Sequence, residues 1–497
     1  MTVYHINRGI GQSSSGIEYA QKYRFDLVKD FPEEQYFVFC DYIYSNYTRF
    51  TDNIGIDMDF TLNAYKFMAG QKNHRSTYSL SEFEKTLTKE FKKENENERS
   101  VDFKNDKSSY KVWFVPETKM IDRVDMIFSG ALQEVAHYSD RLTSIDYYHG
   151  KEIFCRYFYD EDGQRSMRQF LHENKIILTL LGDKVLQGSS EFYQEFFKRL
   201  EFSKEDLVIM DRNTDLASEL FQNKSDSTFV VVVHAEHFSK RMTDEQWVLW
   251  NNYYEYVFVN HQYIDYFIVS TDKQKEKLQH QFEISGNQES KILTIPVGTI
   301  SQLSEGKNLQ KNKYKFLTAS RLASEKHIDI LVQAVARVKE EIPEIEFDIY
   351  GAGSLEKNLK ELINKLEAQD YIRLKGHYHL NLELYEQYGA YLTASGSEGF
   401  GLTILEALAA SLPIVGLNVD YGNTEFIKNK INGYLIEPKT EEEQILIFSE
   451  KIKHSIRKLD RKKVHHYSKE KATNYLSEYV SQQWRDFYDL CLKGDKK

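Results

Sequence analysis

Short runs of β-branched and aromatic residues recur along this chain with helical patterns between them, and they do so in two separate series. Strand and helix in alternation restrict a chain to parallel α/β architecture, because parallel strands need a crossover segment between them. The first series lies at 3–7, 36–42, 207–211, 229–234, 266–271 and 292–297. A polar stretch, 301–313, reads as a linker, and the second series follows at 315–320, 346–350, 372–375, 390–394, 413–417 and 433–436. The pattern predicts an α/β protein of two doubly wound domains with a cleft between them. A chain of 497 residues is long enough for two or three such domains.

Between residues 46 and 203 the alternation of strand and helix is lost. The charged piece 82–100 reads as a solvated helix or loop. Beyond it, 145–158 alternates about a His149-Gly150 turn, and Asp160-Glu-Asp-Gly163 supplies a second hairpin turn. Consecutive hairpins predict an antiparallel meander inserted into the first α/β domain. The expected division is therefore 1–45 with 204–300 for the first domain, 46–203 for the insertion and 314–478 for the second domain. The aromatic-bearing segment 479–497 is expected to form a helix that packs back on the first domain.

Composition narrows the function classes. Apolar residues make up 41% and charged residues 28%, the balance of a soluble globular protein. A net charge of −11 disfavours broad binding to nucleic acid or to an anionic membrane surface. Cys40, Cys155 and Cys491 are far apart with no CxxC pair, which indicates neither a disulfide framework nor structural zinc. The N-terminus has no basic segment followed by an apolar one, and no run of 18 apolar residues exists. The chain reads as cytoplasmic.

The strongest candidate for chemistry is Ser395-Gly-Ser-Glu-Gly-Phe-Gly-Leu-Thr-Ile-Leu-Glu406, which joins the run 390–394 to a helix-like stretch 402–411. Strand, glycine turn and helix start together present backbone N–H groups to an anion. Glu398 and Glu406 flank the turn, where they can accept hydrogen bonds from hydroxyls. Helical from the turn on, the pair would span about 12 Å, the reach of a nucleotide plus one sugar. The plainer alternative is one carboxylate at a helix N-terminus and one facing solvent. Gly396, Gly399 and Gly401 and a place at the carboxyl end of a parallel strand favour a ligand.

A second candidate, Thr318-Ala-Ser-Arg-Leu-Ala-Ser-Glu-Lys-His327, also follows a strand. Arg321 and Lys326 can reach the two phosphates of a diphosphate from one loop, although exposed Arg and Lys are commonplace. A third, Asn7-Arg-Gly-Ile-Gly-Gln-Ser-Ser-Ser-Gly-Ile-Glu18, places Gly9, Gly11 and Gly16 before a helix beginning near Ile17. Its spacing is not GxGxxG, so an ordinary strand-to-helix turn competes with an anion site at the Gly16 amides. His234 ends the strongest strand of the first domain, in Val233-His-Ala-Glu-His237. A hydrogen bond from His234 to a sugar hydroxyl is favoured over a metal pair with His237, since no third ligand is evident. Asp57-Met-Asp59 has the form of a DxD metal motif but lies away from the strand ends, and such tripeptides are common.

These residues resemble those of the retaining GT-B glycosyltransferases of family 4. The resemblance rests on Ser-Arg-Leu-Ala-Ser-Glu-Lys326, Ile349-Tyr-Gly-Ala-Gly-Ser354, Lys375-Gly-His377, the Glu398/Glu406 pair and Asn432-Gly-Tyr434. The N-terminal Gly-Ile-Gly-x-Ser-Ser-Ser-Gly motif and the meander narrow it further. They are similar to catalytic, GtfA-type subunits of accessory-secretion O-GlcNAc transferases, which modify serine-rich repeat adhesins of Gram-positive bacteria. Teichoic-acid glycosyltransferases share a similar insertion.

The resemblance implies two Rossmann-like domains in GT-B arrangement, UDP-GlcNAc as donor and Ser or Thr hydroxyls as acceptor, with no metal or other cofactor. It implies a related non-catalytic partner of GtfB type, and membrane association only through that complex. Carried over by motif, Arg321 and Lys326 neutralise the diphosphate, Glu406 takes the ribose hydroxyls, and Glu398 and His234 orient the sugar. Gly399, Phe400 and Gly401 line the donor site, Gly376, His377 and Tyr378 frame the nucleobase, and Gly16, Ile17, Glu18 and Tyr19 touch the diphosphate. A UDP-glucose donor, a polyol-phosphate acceptor and a non-catalytic recognition role remain as alternatives.

Overall fold

Every apolar run in the two series contains a strand. In the computed structural model all residues are described except 12–14, 44–46, 224–225, 308–311, 379 and 494–497. Gln12, Ser13 and Ser14 of the glycine loop and 308–311 of the linker thus lie outside the described residues. The chain divides into two compact units: Met1–Phe25 with Phe31–Val231 and Tyr256–Asp265, and Asp26–Asp30 with Val232–Glu255 and Tyr266–Lys497.

In the first unit, parallel strands lie in the order Thr228–Val233, Leu207–Met210, Thr2–Asn7, Glu34–Phe39 and Thr61–Asn63. All four residues of Leu207–Met210 are buried. A sheet covered on both faces needs such continuous apolar strands, which is why the run was legible. Thr61–Asn63 falls inside the stretch read as an insertion, yet it joins this parallel sheet by pairing with Glu34–Phe39. Asp211, just beyond the central strand, binds Arg24 of the helix Gly16–Val28 at 2.7 Å, with both side chains almost fully buried. Gln21 donates a further hydrogen bond to Asp211 at 2.9 Å.

The same unit carries ten antiparallel strands, from Lys92–Glu94 to Lys184–Gln187, each paired with its neighbours in sequence. This is the expected meander. The two hairpin turns occur where predicted, with Gly150 at φ 64° and Gly163 at φ 74°, a region that glycine enters without steric cost. Phe83, Val101, Phe103, Val112, Phe114, Ile121 and Val124 form one buried cluster of the sheet. The charged piece before it is not simply helix or loop. It holds the helix Leu80–Glu84 and the strand Lys92–Glu94, whose three residues are charged and exposed and so show no apolar alternation, paired with Ser100–Lys104.

In the second unit six parallel strands lie in the order Ile372–Gly376, Glu346–Tyr350, Lys315–Ala319, Ala390–Thr393, Ile414–Leu417 and Gly433–Ile436. The reversal between Lys315–Ala319 and Ala390–Thr393 is a topological switch point, the place where open parallel sheets bind ligands. Helix Ile328–Lys339 buries Ile328, Leu331, Val332, Val335 and Val338, spaced three and four apart, under this sheet. Each such side chain contributes about 1.5–3 kcal/mol. Helix Glu441–Arg457 begins with a Thr440/Glu443 capping box and packs on Ile328–Lys339. The C-terminal helix Ser477–Lys493 buries Trp484 and sets Phe487 edge-on to Tyr266, 5.5 Å between ring centres.

Candidate functional site

The loop that leaves strand Lys315–Ala319 carries Arg321 and Lys326, and the loop that leaves Ala390–Thr393 carries Glu398. These two strands flank the switch point, and their loops meet. Lys326 donates to Glu398 Oε1 at 2.6 Å and to Ser395 Oγ at 3.0 Å, with both charged side chains more than four-fifths buried. Arg321, over half exposed, pairs with Glu325 at 2.8 Å. The site thus holds a shielded cation whose partners are a carboxylate and a hydroxyl, and an exposed cation on the same loop. An incoming diphosphate can recruit both.

The arrangement depends on close backbone contacts. Gly351 (φ 135°) lies against the Ser320 carbonyl, where an added Cβ would approach to 1.9 Å. Leu322 N–H donates to the Ala352 carbonyl at 3.0 Å, so the Tyr350-Gly-Ala-Gly turn supports the Arg321 loop. Gly399 is equally crowded: a Cβ there would lie 1.9 Å from the carbonyl oxygen of His234. Its glycine therefore admits the strand end that carries His234 rather than leaving space for a ligand. Gly401 (φ 82°) is the N-cap of helix Leu402–Ala409, and Gly396 packs against the His327 ring. Gly399→Ala is expected to lower stability by about 1–3 kcal/mol, the usual cost of overpacking, read as a fall in thermal midpoint.

Glu398 and Glu406 do not share one helix. Glu398 lies in the turn, where its carbonyl accepts from Tyr421 N–H at 2.8 Å, and the helix starts four residues later. The expected helical rise between them therefore does not apply. Glu406 sits inside that helix and accepts from the Tyr385 hydroxyl at 2.7 Å. Phe400 turns its ring into the core against Phe426 and Tyr475, so only its backbone is placed to meet a ligand. Gly376, at φ 72°, ends its strand with open space around it, and Tyr378 is 61% exposed beside Tyr350.

His234 is half-buried, and its backbone N–H donates to the Tyr254 hydroxyl at 3.0 Å. His237 is fully buried, with Gln281 at 2.8 Å and Tyr421 stacked on its ring. Burial pushes its pKa down to about 4. Unfolding returns it to about 6.5, so the unfolded chain binds more protons between these values. Stability from neutral His237 is present above pH 6.5 and lost as pH falls towards 4. The thermal midpoint should drop over that interval by an amount that His237→Gln reduces.

Gly16, Ile17, Glu18 and Tyr19 open helix Gly16–Val28 in the first unit. Gly16 and its surroundings are open, but Glu18 is buried, accepting from Ser15 N–H at 2.5 Å and pairing with Arg212 at 3.2 Å. Its carboxylate serves the helix start. Asp57 of the DxD tripeptide likewise caps a short 3-10 turn by accepting from Asp59 N–H. Among the described residues no group of three His, Cys, Asp or Glu is placed to hold a metal, and no helix is long and apolar enough to cross a membrane. Sequence reasoning missed Ser395, Glu325 and Tyr385 as site residues. Ser395 and Glu325 lay within the motifs, but Tyr385 carried no signal.

Residues 300–474 match the family described as glycosyl transferases group 1, and residues 90–181 match the GtfA extended beta-sheet domain. The GtfA subunit of the UDP-N-acetylglucosamine–peptide N-acetylglucosaminyltransferase of Streptococcus pneumoniae is 37% identical over 98% of both chains. The crystal structure of the pneumococcal O-GlcNAc transferase GtfA in complex with UDP and GlcNAc superposes with a TM-score of 0.95, at 36% identity over 99% of both chains. A crystal structure of a GtfA/B complex gives a TM-score of 0.89 at 34% identity, over 99% of this chain and 100% of the other.

Proposed function

The chain belongs to the glycosyltransferase family of these GtfA subunits, and on that premise we propose that it moves GlcNAc from UDP-GlcNAc to Ser and Thr hydroxyls of a serine-rich repeat polypeptide. It does so with retention of configuration, as the catalytic member of a complex with a GtfB-type subunit, in the cytoplasm. The observation that carries this reading is the shielded Lys326–Glu398–Ser395 contact at the switch point, with Arg321 on the same loop and Glu406 in the helix that follows. A non-catalytic recognition subunit would have no use for that set.

As the bond between the sugar C1 and the β-phosphate oxygen breaks, negative charge gathers on UDP and C1 becomes oxocarbenium-like. Lys326 and Arg321 meet the developing charge, so preorganised electrostatics supply the catalysis without a metal. Moving Lys326 towards the phosphate leaves the Glu398 carboxylate to accept from sugar hydroxyls, alongside His234. Glu406 receives the ribose hydroxyls, and Gly376, His377 and Tyr378 frame the uracil. The acceptor oxygen bonds to C1 on the face that UDP leaves, and its proton passes to the departing phosphate oxygen. No dedicated nucleophile stands out, since in this account Glu398 accepts from the sugar hydroxyls.

Purified protein, with and without its partner subunit, should be given UDP-GlcNAc or UDP-glucose in the presence of a chelator. A serine-rich peptide and a polyol-phosphate chain are offered as acceptors, and product mass is read. Addition of GlcNAc to the peptide supports the proposal. Transfer only to the polyol phosphate, only from UDP-glucose, or only with added metal contradicts the corresponding part of it.

A further inference from the structure

Tyr385 ends the short helix Leu382–Tyr385 and is 1% exposed, yet its hydroxyl donates at 2.7 Å to Oε2 of the half-buried Glu406. Tyr391, also buried, bonds Thr403 at 2.7 Å, one turn earlier on the same helix face, and donates to the Ala319 carbonyl at 3.1 Å. The two tyrosine rings lie 6.3 Å apart. One hydroxyl therefore ties the Glu406 helix to the strand from which the Arg321 loop departs, and the other sets the carboxylate itself.

A carboxylate offers about four lone-pair sites, so the bond from Tyr385 restricts its rotation while occupying one of them. Bonds with an ionised partner are stronger than neutral ones, and burial on the tyrosine side excludes competing water. A vicinal diol requires the acceptor at a set angle, and an unheld glutamate on a helix samples several rotamers.

We propose that Tyr385 is a positioning residue that aims Glu406 at the ribose of the donor, so that the pair makes the site selective for ribonucleoside diphosphates over deoxyribonucleoside diphosphates. This rests on the reading that Glu406 receives the ribose hydroxyls. The alternative is that Glu406 merely satisfies a buried tyrosine hydroxyl, in which case the sugar of the nucleotide would not register its loss.

The test is calorimetric titration of UDP, 2′-deoxy-UDP and 3′-deoxy-UDP into the full-length wild type, Tyr385→Phe and Glu406→Gln. The wild type is expected to prefer UDP over at least one deoxy analogue by tenfold or more. Both variants should lose most of that preference, while the deoxy analogue binds all three proteins within about threefold, as a local positioning role requires. Retained discrimination in Tyr385→Phe with lost discrimination in Glu406→Gln overturns the inference and leaves the ribose reading standing. Retained discrimination in Glu406→Gln, or none in the wild type, removes the ribose reading and the inference with it. Collapse of the fold in Tyr385→Phe would also overturn it, since it would give the hydroxyl a structural task.

Discussion

Lys326→Ala is expected to lower kcat by roughly 10²–10³-fold, the usual effect of deleting one donor to a developing oxyanion. The fold should survive, because Lys326 ends a short 3-10 turn after strand Lys315–Ala319, and the strand and the following helix are held by their own apolar faces. Its removal leaves Glu398, which is 18% exposed, without the 2.6 Å cation, and a weakly screened carboxylate then faces an anionic donor. The KM for UDP-GlcNAc should therefore rise as well. Arg321→Ala is expected to act in the same direction with a smaller stability change, since its pair with Glu325 is exposed. Steady-state kinetics with the partner subunit present provide the check. Near-normal turnover in both variants would remove the phosphate clamp.

Asp211→Ala should be the most destabilising single change in the first unit, costing about 3–5 kcal/mol. It takes the charged partner from the buried Arg24 guanidinium, and it also removes an acceptor for Gln21. His5 Nδ1 accepts from Arg24 but brings no charge to balance it. Its ring lies 3.2 Å from Arg24, and burial, with Arg24 beside it, pushes its pKa down to about 3, so it stays neutral near the cation. Urea unfolding followed by circular dichroism measures the loss. A change under about 1 kcal/mol would mean that solvent reaches Arg24 after all.

How far the sequence disclosed this protein can be read from particular residues. The strands at 390–393 and 315–319 and the helix from Leu402 were legible because burial on both faces demands unbroken apolar runs, and glycines mark the turns between them. The meander was legible from its two glycine hairpins, since each strand pairs with its neighbour in sequence. Thr61–Asn63 was not. Three residues carry no period, and their strand character comes from the partner Glu34–Phe39. The role of Gly399 was misread for a related reason. What crowds it is the carbonyl of His234, far away in sequence, and only the folded backbone brings the two together. Tyr385 was invisible as a site residue because a buried tyrosine reads as core until its hydroxyl partner is known.

The loop bearing Arg321 and Lys326 should bind the diphosphate of a sugar nucleotide. Calorimetric titration of UDP against UMP, in the wild type and in Lys326→Ala, tests it most directly, because the two ligands differ only in the β-phosphate. UDP should bind the wild type at least tenfold more tightly than UMP, and Lys326→Ala should bring the two within about threefold of each other, in line with the loss of one charge-assisted bond. An unchanged gap between UDP and UMP in the variant would contradict it.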